Sequence, residues 1–286
     1  METSTFNPQE FYAAQGQISD PGPYASYLDN LAPDLAELVK QVQGLMLHVH
    51  WLKNYGVNLN RVRKEEQQIR TTRDRLQKIL ALYEALLTEK RPLLKRTVGT
   101  CRDFALLLCS ILRHRGIPAR TRVGFGTYFT EGRFEDHWVC EYWQDVDRRW
   151  VMVDPQLDEV QIEALGIDFD PLELPPGKFI TGGQAWIRVR NNEADPYHFG
   201  IFNLSGFNFI KGNMIRDFLA LNKIEILPWD NFGLIADKFQ DMKPAEKRLT
   251  DKLAKISTGT DQDFVLLCAA YIAHQGQLLP SYFFST

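Results

Sequence analysis

The stretch Gly99-Thr-Cys-Arg-Asp-Phe104 of this 286-residue chain has the pattern of a helix start. Thr100 is a good helix N-cap, and Asp103 follows three residues later, where a capping box has its acidic or amide partner. A run of apolar residues comes next. The helix is expected to end at Gly116-Ile-Pro118, because glycine suits the residue after a helix and proline blocks its continuation. The pattern therefore predicts one buried helix within residues 97–115.

Cys101 stands at the first position of that helix, which gives its thiol an electrostatic reason to ionise. Free N–H groups and the positive end of the helix dipole stabilise a thiolate at a helix start. Arg102 adds positive charge beside it, whereas Asp103 opposes it. The alternative is an ordinary small apolar side chain in the core. That interpretation suits the other three cysteines, Cys109, Cys140 and Cys268. The chain has no C-x-x-C pair.

Two segments rich in aromatic and β-branched residues follow, Arg133–Trp143 and Arg149–Val153. A short polar turn separates them, which is typical of a β-hairpin. In the register that we predict for it, His137 lies opposite Asp154. Directly opposed side chains share a face and have Cβ atoms about 5 Å apart. Taken singly, each has a structural alternative, a half-buried histidine or a strand-end aspartate. Together with a cysteine they are the parts that an activated thiol needs.

These motifs resemble the transglutaminase-like superfamily. The resemblance rests on Gly99-x-Cys-x-Asp103 opening a Leu/Ala-rich helix and on Gly116-Ile-Pro-Ala-Arg120 leading into a strand. It also rests on Asp136-His-Trp-Val139 followed by Trp150-x-x-Val-Asp-Pro155. It covers residues 97–156 and implies an α+β, papain-like fold in which a nucleophile helix packs on an antiparallel sheet.

The resemblance also implies roles for the matching residues. Cys101 is the expected nucleophile, His137 the general base and acid, and Asp154 the residue that orients the histidine. The expected activity is hydrolysis of amide or peptide bonds through a thioester. One alternative is a transglutaminase that transfers the acyl group to an amine. Another is a non-enzymatic module that keeps the fold and binds a peptide or protein.

Further residues are candidates for an oxyanion donor or a substrate contact. Acyl-transfer sites combine backbone N–H groups with a side-chain donor, and the backbone N–H of Cys101 is the natural first member. Each further candidate also has a structural interpretation; they are Trp51, His50, Gln156 and Trp138. No metal site and no cofactor is predicted, and the expected partner is a peptide or protein amide substrate.

Composition narrows the function classes. Hydrophobic residues make up 44% and charged residues 24% of the chain, as in a globular protein. Thirty-three basic against 36 acidic residues give a net charge of −3, which weighs against a nucleic-acid or anionic-membrane binder. No apolar run approaches the roughly 20 residues of a membrane span, and residues 1–8 lack a secretory pattern. A cytoplasmic protein is expected, with its oligomeric state left open.

The patterning along the chain suggests a helical N-terminal part over residues 1–90, a catalytic core over 91–200 and a helical C-terminal part over 201–286. The sequence leaves open whether these form one continuous domain. Residues 155–200 are rich in proline and glycine and are expected to be mostly loop. Outside the core, helices are predicted over 33–55, 58–89, 212–222, 231–240, 244–256 and 260–274.

Overall fold

The computed structural model describes residues 7–283, which fold into two compact units built from separated parts of the chain. The first unit comprises Gln9–Thr121 and Trp138–Pro175. The second unit comprises Arg122–His137 and the described chain from Pro176 onward. The predicted lack of a secretory leader concerns mainly residues 1–6, which lie outside the described residues. The division of the chain at residues 90 and 200 stays a prediction.

Within residues 7–283 the helices and strands alternate irregularly, with short 3₁₀ turns between them. The helices are α1 (Pro8–Ala13), α2 (Leu35–Leu45), α3 (Arg61–Lys64), α4 (Thr72–Leu82), α5 (Cys101–His114), α6 (Glu159–Leu165), α7 (Gly182–Arg190), α8 (Phe207–Leu221), α9 (Pro244–Ser257) and α10 (Phe264–Leu278). The strands are β1 (Met46–His48), β2 (Thr97–Gly99), β3 (Ala119–Gly126), β4 (Phe134–Gln144), β5 (Arg149–Val153), β6 (Phe179–Thr181), β7 (Phe199–Ile201) and β8 (Leu204–Ser205).

The two long N-terminal helices predicted from periodicity are shorter in the structure. The first ends at Leu45, because the chain then becomes extended and β1 pairs in parallel with β2. The second is interrupted before α4, where Thr71 is extended and its hydroxyl accepts the N–H of Asp74 at 3.1 Å. Apolar spacing alone did not reveal this internal cap.

The helix that begins at Cys101 is the centre of the first unit. Its end is as predicted, since Gly116 has a φ of +72°, a conformation that glycine adopts at little cost. One face of α5 packs in a shared core with α2, β4 and β5. Buried members of this core are Leu38, Val42, Phe104, Leu108, Ile111, Cys140 and Val153. A helix packed on a strand pair is therefore present, as expected.

The hairpin formed by β4 and β5 lies in the first unit but has a different register from the predicted one. Cys140 pairs with Val153 and Gln144 with Arg149. The loop thus takes four residues, and its last, Arg148, has a φ of +50°. The predicted register assumes a turn of two residues and therefore differs from the observed register by two positions. The predicted opposition of His137 and Asp154 across the hairpin is wrong.

In the second unit, five strands contribute to a sheet of order β6-β3-β4-β7-β8. The pairs β3–β6 and β7–β8 are antiparallel, whereas β4 pairs in parallel with β7, with Phe134 opposite Phe199. The α+β fold class is confirmed. The sheet is mixed rather than purely antiparallel, because a long connection containing α6 and α7 returns the chain in the parallel direction.

Helices α7, α8 and α9 pack closely in the second unit, and two glycines at the start of α7 permit this. A Cβ atom on Gly182 would lie 2.7 Å from the backbone of Asn213, and one on Gly183 would lie 2.3 Å from Ser257 Oγ. The predicted C-terminal helices are present except the one over residues 231–240, which is replaced by two 3₁₀ turns. The segment expected to be loop contains α6 and α7.

Lys211 of α8 is fully buried and makes its contacts with backbone carbonyls. Its ammonium donates to Leu234 O at 2.5 Å and to Asp237 O. Burial lowers the pKa of Lys211 to about 8, below the ordinary 10.5. The native state therefore binds fewer protons than the unfolded chain between these values, so stability contributed by this group rises with pH there.

We expect the free energy of unfolding of the wild type, relative to Lys211→Met, to rise by up to about 3 kcal/mol between pH 8 and 10.5. Urea unfolding of both proteins at several pH values measures this difference, and groups common to both cancel. If the difference in the free energy of unfolding between the two proteins stays constant from pH 8 to 10.5, the lowered pKa of Lys211 is contradicted.

Across residues 7–283, no helix combines the length and the apolar character that a membrane crossing requires. The cytoplasmic location stays a prediction.

Candidate functional site

The junction of β2 and α5 presents Cys101 as the first residue of a 14-residue helix. Thr100 is extended, with φ −117° and ψ 178°, and forms the N-cap. The Asp103 carboxylate accepts the backbone N–H of Thr100 at 2.7 Å. The capping box expected from the sequence is thus present, and it fixes where the helix starts.

Buried charges hold this junction in place. Arg75 donates to the carbonyl of Val98 at 2.7 Å, and its guanidinium lies 3.1 Å from the Asp103 carboxylate. Glu66 accepts the N–H of Val98 at 2.9 Å. Both Arg75 and Glu66 are at least 95% buried. Because removing one partner leaves the other charge buried, these contacts strongly favour one position for Cys101.

The thiols differ in their surroundings. Cys101 is 9% exposed and is not part of a disulfide. Cys109 and Cys140 are completely buried, and burial together with a hydrogen bond to Cys109 raises the pKa of the Cys140 thiol. Cys268 is half-buried in the second unit, and burial raises the pKa of its thiol as well. Only Cys101 among the four stands at a helix start.

Asp154 lies directly after β5 in the first unit and is completely buried. Its Oδ1 accepts the backbone N–H of Gln156 at 3.0 Å, and its own N–H donates to Pro171 O at 2.8 Å. These bonds fix the carboxylate in a tight turn. Gln156, a candidate donor, is buried beside it and gives one amide N–H to Gln161 at 2.8 Å. Its second N–H remains for another acceptor.

His137 lies on β4 and is the last residue of that strand's part in the second unit. It is 2% exposed. The ring of Phe129 packs edge-on against the imidazole with centroids 4.8 Å apart, and Tyr128 does so at 6.0 Å. Both rings come from the loop between β3 and β4. These contacts contribute to the burial of the imidazole.

Asp136 precedes this histidine and is held by α8. Its Oδ1 accepts the amide N–H of Asn213 at 2.7 Å. Burial raises the pKa of Asp136, while the positive charge of Arg216, the bond from Asn213 and His137 lower it. Arg216 is in turn fixed by the carbonyl of Asp230 at 2.8 Å. The second unit therefore anchors the backbone of the predicted base through α8.

The remaining candidates lie in the first unit. The helix predicted over 33–55 places His50 and Trp51 near its end, which is wrong. In the structure they lie in the turn after β1, where the N–H of Trp51 donates to His48 O at 3.0 Å. The preceding Val49 N–H donates to Gly99 O at 2.9 Å, which places this turn beside the residues that lead into Cys101. Burial lowers the pKa of His50.

Trp138 is completely buried, and its indole N–H has no hydrogen-bond partner among the described residues. Buried donors are seldom left unpaired, and each such group calls for an explanation. This one adjoins His137 in sequence. It therefore remains a candidate for contact with a bound molecule.

Family comparison agrees with the motifs. Residues 63–155 match the family model of the transglutaminase-like superfamily. The chain contains a transglutaminase-like domain. The match covers about a third of the 286 residues and includes Cys101, His137 and Asp154. It begins ahead of residue 97, where the recognised motifs start, and so takes in α4.

The superfamily covers cysteine-dependent acyltransferases and peptidases, and some members are inactive. No curated protein and no solved structure was found to match the chain. Within the transglutaminase-like domain, Cys101 and Asp154 belong to the first unit and His137 to the second. Their joint action stays a prediction.

Several residues that position the site were not found from the sequence. Arg75 and Glu66 lie in a run of mixed charges, a pattern that usually indicates a helix face exposed to water. Phe129 and Tyr128 form an aromatic pair shortly before the strand that carries His137, which is a usable signal in the sequence. The sequence around Asn213 gives no signal of its role, because its hydrogen-bond partner Asp136 is 77 positions away.

Proposed function

We propose that this protein is a cysteine-dependent acyl-transfer enzyme that hydrolyses amide or peptide bonds. The observation that carries the proposal is the position of the Cys101 thiol, which is not part of a disulfide, at the capped start of α5 within the segment that matches the superfamily. A helix start favours the thiolate, which is the nucleophilic form. The buried ion pair at the same junction favours a single position for this thiol.

In the proposed reaction, His137 removes the proton of the Cys101 thiol. The sulfur attacks the acyl carbon, the C–N bond breaks, and His137 gives the proton to the departing amine. Water then attacks the thioester and gives a proton to His137, the C–S bond breaks to release a carboxylic acid, and His137 returns the proton to the sulfur of Cys101. Asp154 keeps the imidazole in the required tautomer, and the Cys101 backbone N–H is one oxyanion donor.

The acyl acceptor separates the proposed hydrolase from its nearest alternative. If a primary amine replaces water in the second half, the product is a new amide and the protein is a transglutaminase. If neither half proceeds, the domain is a binding module for a peptide or protein. We favour water because it is the generic acceptor.

The test follows alkylation of Cys101 by iodoacetamide against pH, with peptide mass spectrometry, in wild type and His137→Ala. We expect wild-type Cys101 to react rapidly well below pH 8.5, the ordinary value for a thiol. We expect His137→Ala to lose this low-pH reactivity, because the imidazolium no longer stabilises the thiolate.

Cys268 provides an internal control in the same sample. Burial raises its pKa, so its labelling should rise only at alkaline pH in both proteins. If Cys101 behaves like Cys268 in wild type, or if His137→Ala leaves its profile unchanged, the proposed nucleophile and base are wrong. A search for a binding partner would then be the right next step.

A further inference from the structure

One cavity in the first unit is not part of the proposed reaction. It measures about 650 Å³, and Cys101, Asp154 and Trp138 are not among the residues that line it. Its size falls within the roughly 300–1,000 Å³ that small-molecule sites span. Much of its wall is apolar, including Ala36, Val39, Leu93, Leu157, Val160 and Leu172.

One cation in this wall, Arg96, is buried and forms no ion pair within 4 Å among the described residues. Arg96 is 5% exposed, and it donates to the carbonyls of Arg91 at 3.0 Å and Gln43 at 3.2 Å. These bonds use Nε and Nη1. Within residues 7–283, Nη2 makes no hydrogen bond, and no carboxylate lies within 4 Å of the guanidinium. Burial lowers the pKa of Arg96, yet an arginine in a protein stays charged.

The carboxylate that faces Arg96 is already engaged. Asp158 accepts the hydroxyl of Tyr55 at 2.6 Å and the N–H of Gln161 at 3.1 Å. Burial and Asp158 together raise the pKa of Tyr55 well above its ordinary value, so the phenol stays neutral. Among the basic side chains that line the cavity, Arg96 is buried, whereas Lys40 and Lys90 are exposed. The cavity therefore offers a buried charge-assisted donor, on Arg96, within a largely apolar wall.

We propose that this cavity binds a small organic carboxylate with an apolar body, and that the carboxylate is held by Arg96. A guanidinium binds a carboxylate with strong, directional hydrogen bonds. A phosphate dianion fits less well, because the lining has four carboxylates, Glu37, Asp158, Glu159 and Asp170, against three basic side chains, Lys40, Lys90 and Arg96, and repulsion grows with the charge of the ligand. The apolar wall takes up the rest of the ligand. This binding does not depend on the proposed catalytic function.

The cavity wall is joined to the turn that holds Asp154. Gln43, whose carbonyl binds Arg96, donates through its side-chain amide to Pro155 O at 3.2 Å and to Leu157 O at 3.1 Å. Gln156, between these two residues, donates its N–H to the Asp154 carboxylate. A ligand on Arg96 should therefore be detected at the backbone amides of Gln156 and Leu157.

The test compares two nearly identical probes, N-acetyl-leucine and its neutral amide, N-acetyl-leucinamide. Isothermal titration measures the affinity of wild type for each, and ¹⁵N chemical shifts of Gln156 and Leu157 locate the site. We expect the acid to bind at least about tenfold more tightly, the difference typical of one charge-assisted hydrogen bond. Arg96→Gln should abolish this preference. Lys95→Gln, which removes an exposed charge outside the lining, should retain it.

Arg96→Gln also removes structural bonds, so a second variant fills the cavity instead. Ala36→Phe adds a ring to the wall from α2 and leaves Arg96 in place; it should abolish binding of the acid. The proposal is overturned if wild type binds neither probe, if it binds both equally, or if Ala36→Phe binds the acid like wild type. A preference for the acid that survives in a folded Arg96→Gln protein overturns it equally.

Discussion

Replacing Cys101 with alanine is expected to abolish acyl transfer while leaving the fold intact. Loss of the nucleophile in a covalent hydrolase costs several orders of magnitude in rate, so we expect a fall of at least about 10⁴-fold. The fold should persist because alanine fits the space of the thiol and the cap rests on Thr100 and Asp103 rather than on the cysteine.

A generic activated ester makes this measurable before the natural substrate is known. Release of p-nitrophenol from p-nitrophenyl acetate reports the first half-reaction, and intact-protein mass spectrometry reports an acetyl group on wild-type Cys101. Adding a primary amine such as cadaverine then shows whether the acyl group passes to water or to the amine. Formation of acetylcadaverine in preference to acetate would favour the transglutaminase alternative.

The matched control is Cys268→Ala, which removes a half-buried thiol in the second unit. It should release p-nitrophenol at the wild-type rate. The circular dichroism of both variants should match wild type. If Cys101→Ala retains the full rate with an unchanged spectrum, Cys101 is not the nucleophile.

The largest expected loss of stability comes from Asp217 of α8. This completely buried carboxylate accepts two hydrogen bonds from Arg122, at 3.0 and 2.9 Å, and the N–H of Val123 at 2.9 Å. Arg122 also donates to Ser257 O, so β3, α8 and α9 meet at this pair. Asp217→Ala should lower the free energy of unfolding by about 3–5 kcal/mol, since it leaves a guanidinium buried without its counter-charge.

Urea unfolding measures this loss, and an exposed ion pair provides the comparison. Arg61 and Glu65 are one helical turn apart, with side chains 92% and 56% exposed. Glu65→Ala should therefore cost less than about 1 kcal/mol. If the free energy of unfolding of Asp217→Ala lies within 1 kcal/mol of the wild-type value, the predicted loss is wrong, and relaxation of the site or access of water compensates for the lost pair.

The capped start of α5 shows how far local sequence determines this site. Thr100, Asp103 and Gly116 lie within or next to one helix, and the contacts that they make span three or four residues or depend on a single backbone angle. Such contacts are the same in almost any fold. The position of Cys101 could therefore be predicted without knowledge of the rest of the chain.

The hairpin marks the limit of such reasoning. The positions of β4 and β5 follow from alternating aromatic and β-branched residues, but their register depends on the length of the turn. Arg148 takes a left-handed conformation that its identity does not suggest, and this lengthens the loop by two residues. The predicted opposition of His137 and Asp154 is wrong because of this longer loop.

By itself, the sequence determined the α+β class, the superfamily and the helix start that carries the candidate nucleophile, because each depends on local spacing. Only the tertiary structure revealed that Arg75 and Glu66 are buried at that helix start, that Phe129 packs on His137, and that Arg96 lines a cavity and forms no ion pair within 4 Å among the described residues. Whether a charged side chain is buried or exposed to water depends on residues that are distant in sequence and pack over it. The local sequence pattern around the charge therefore does not predict its burial.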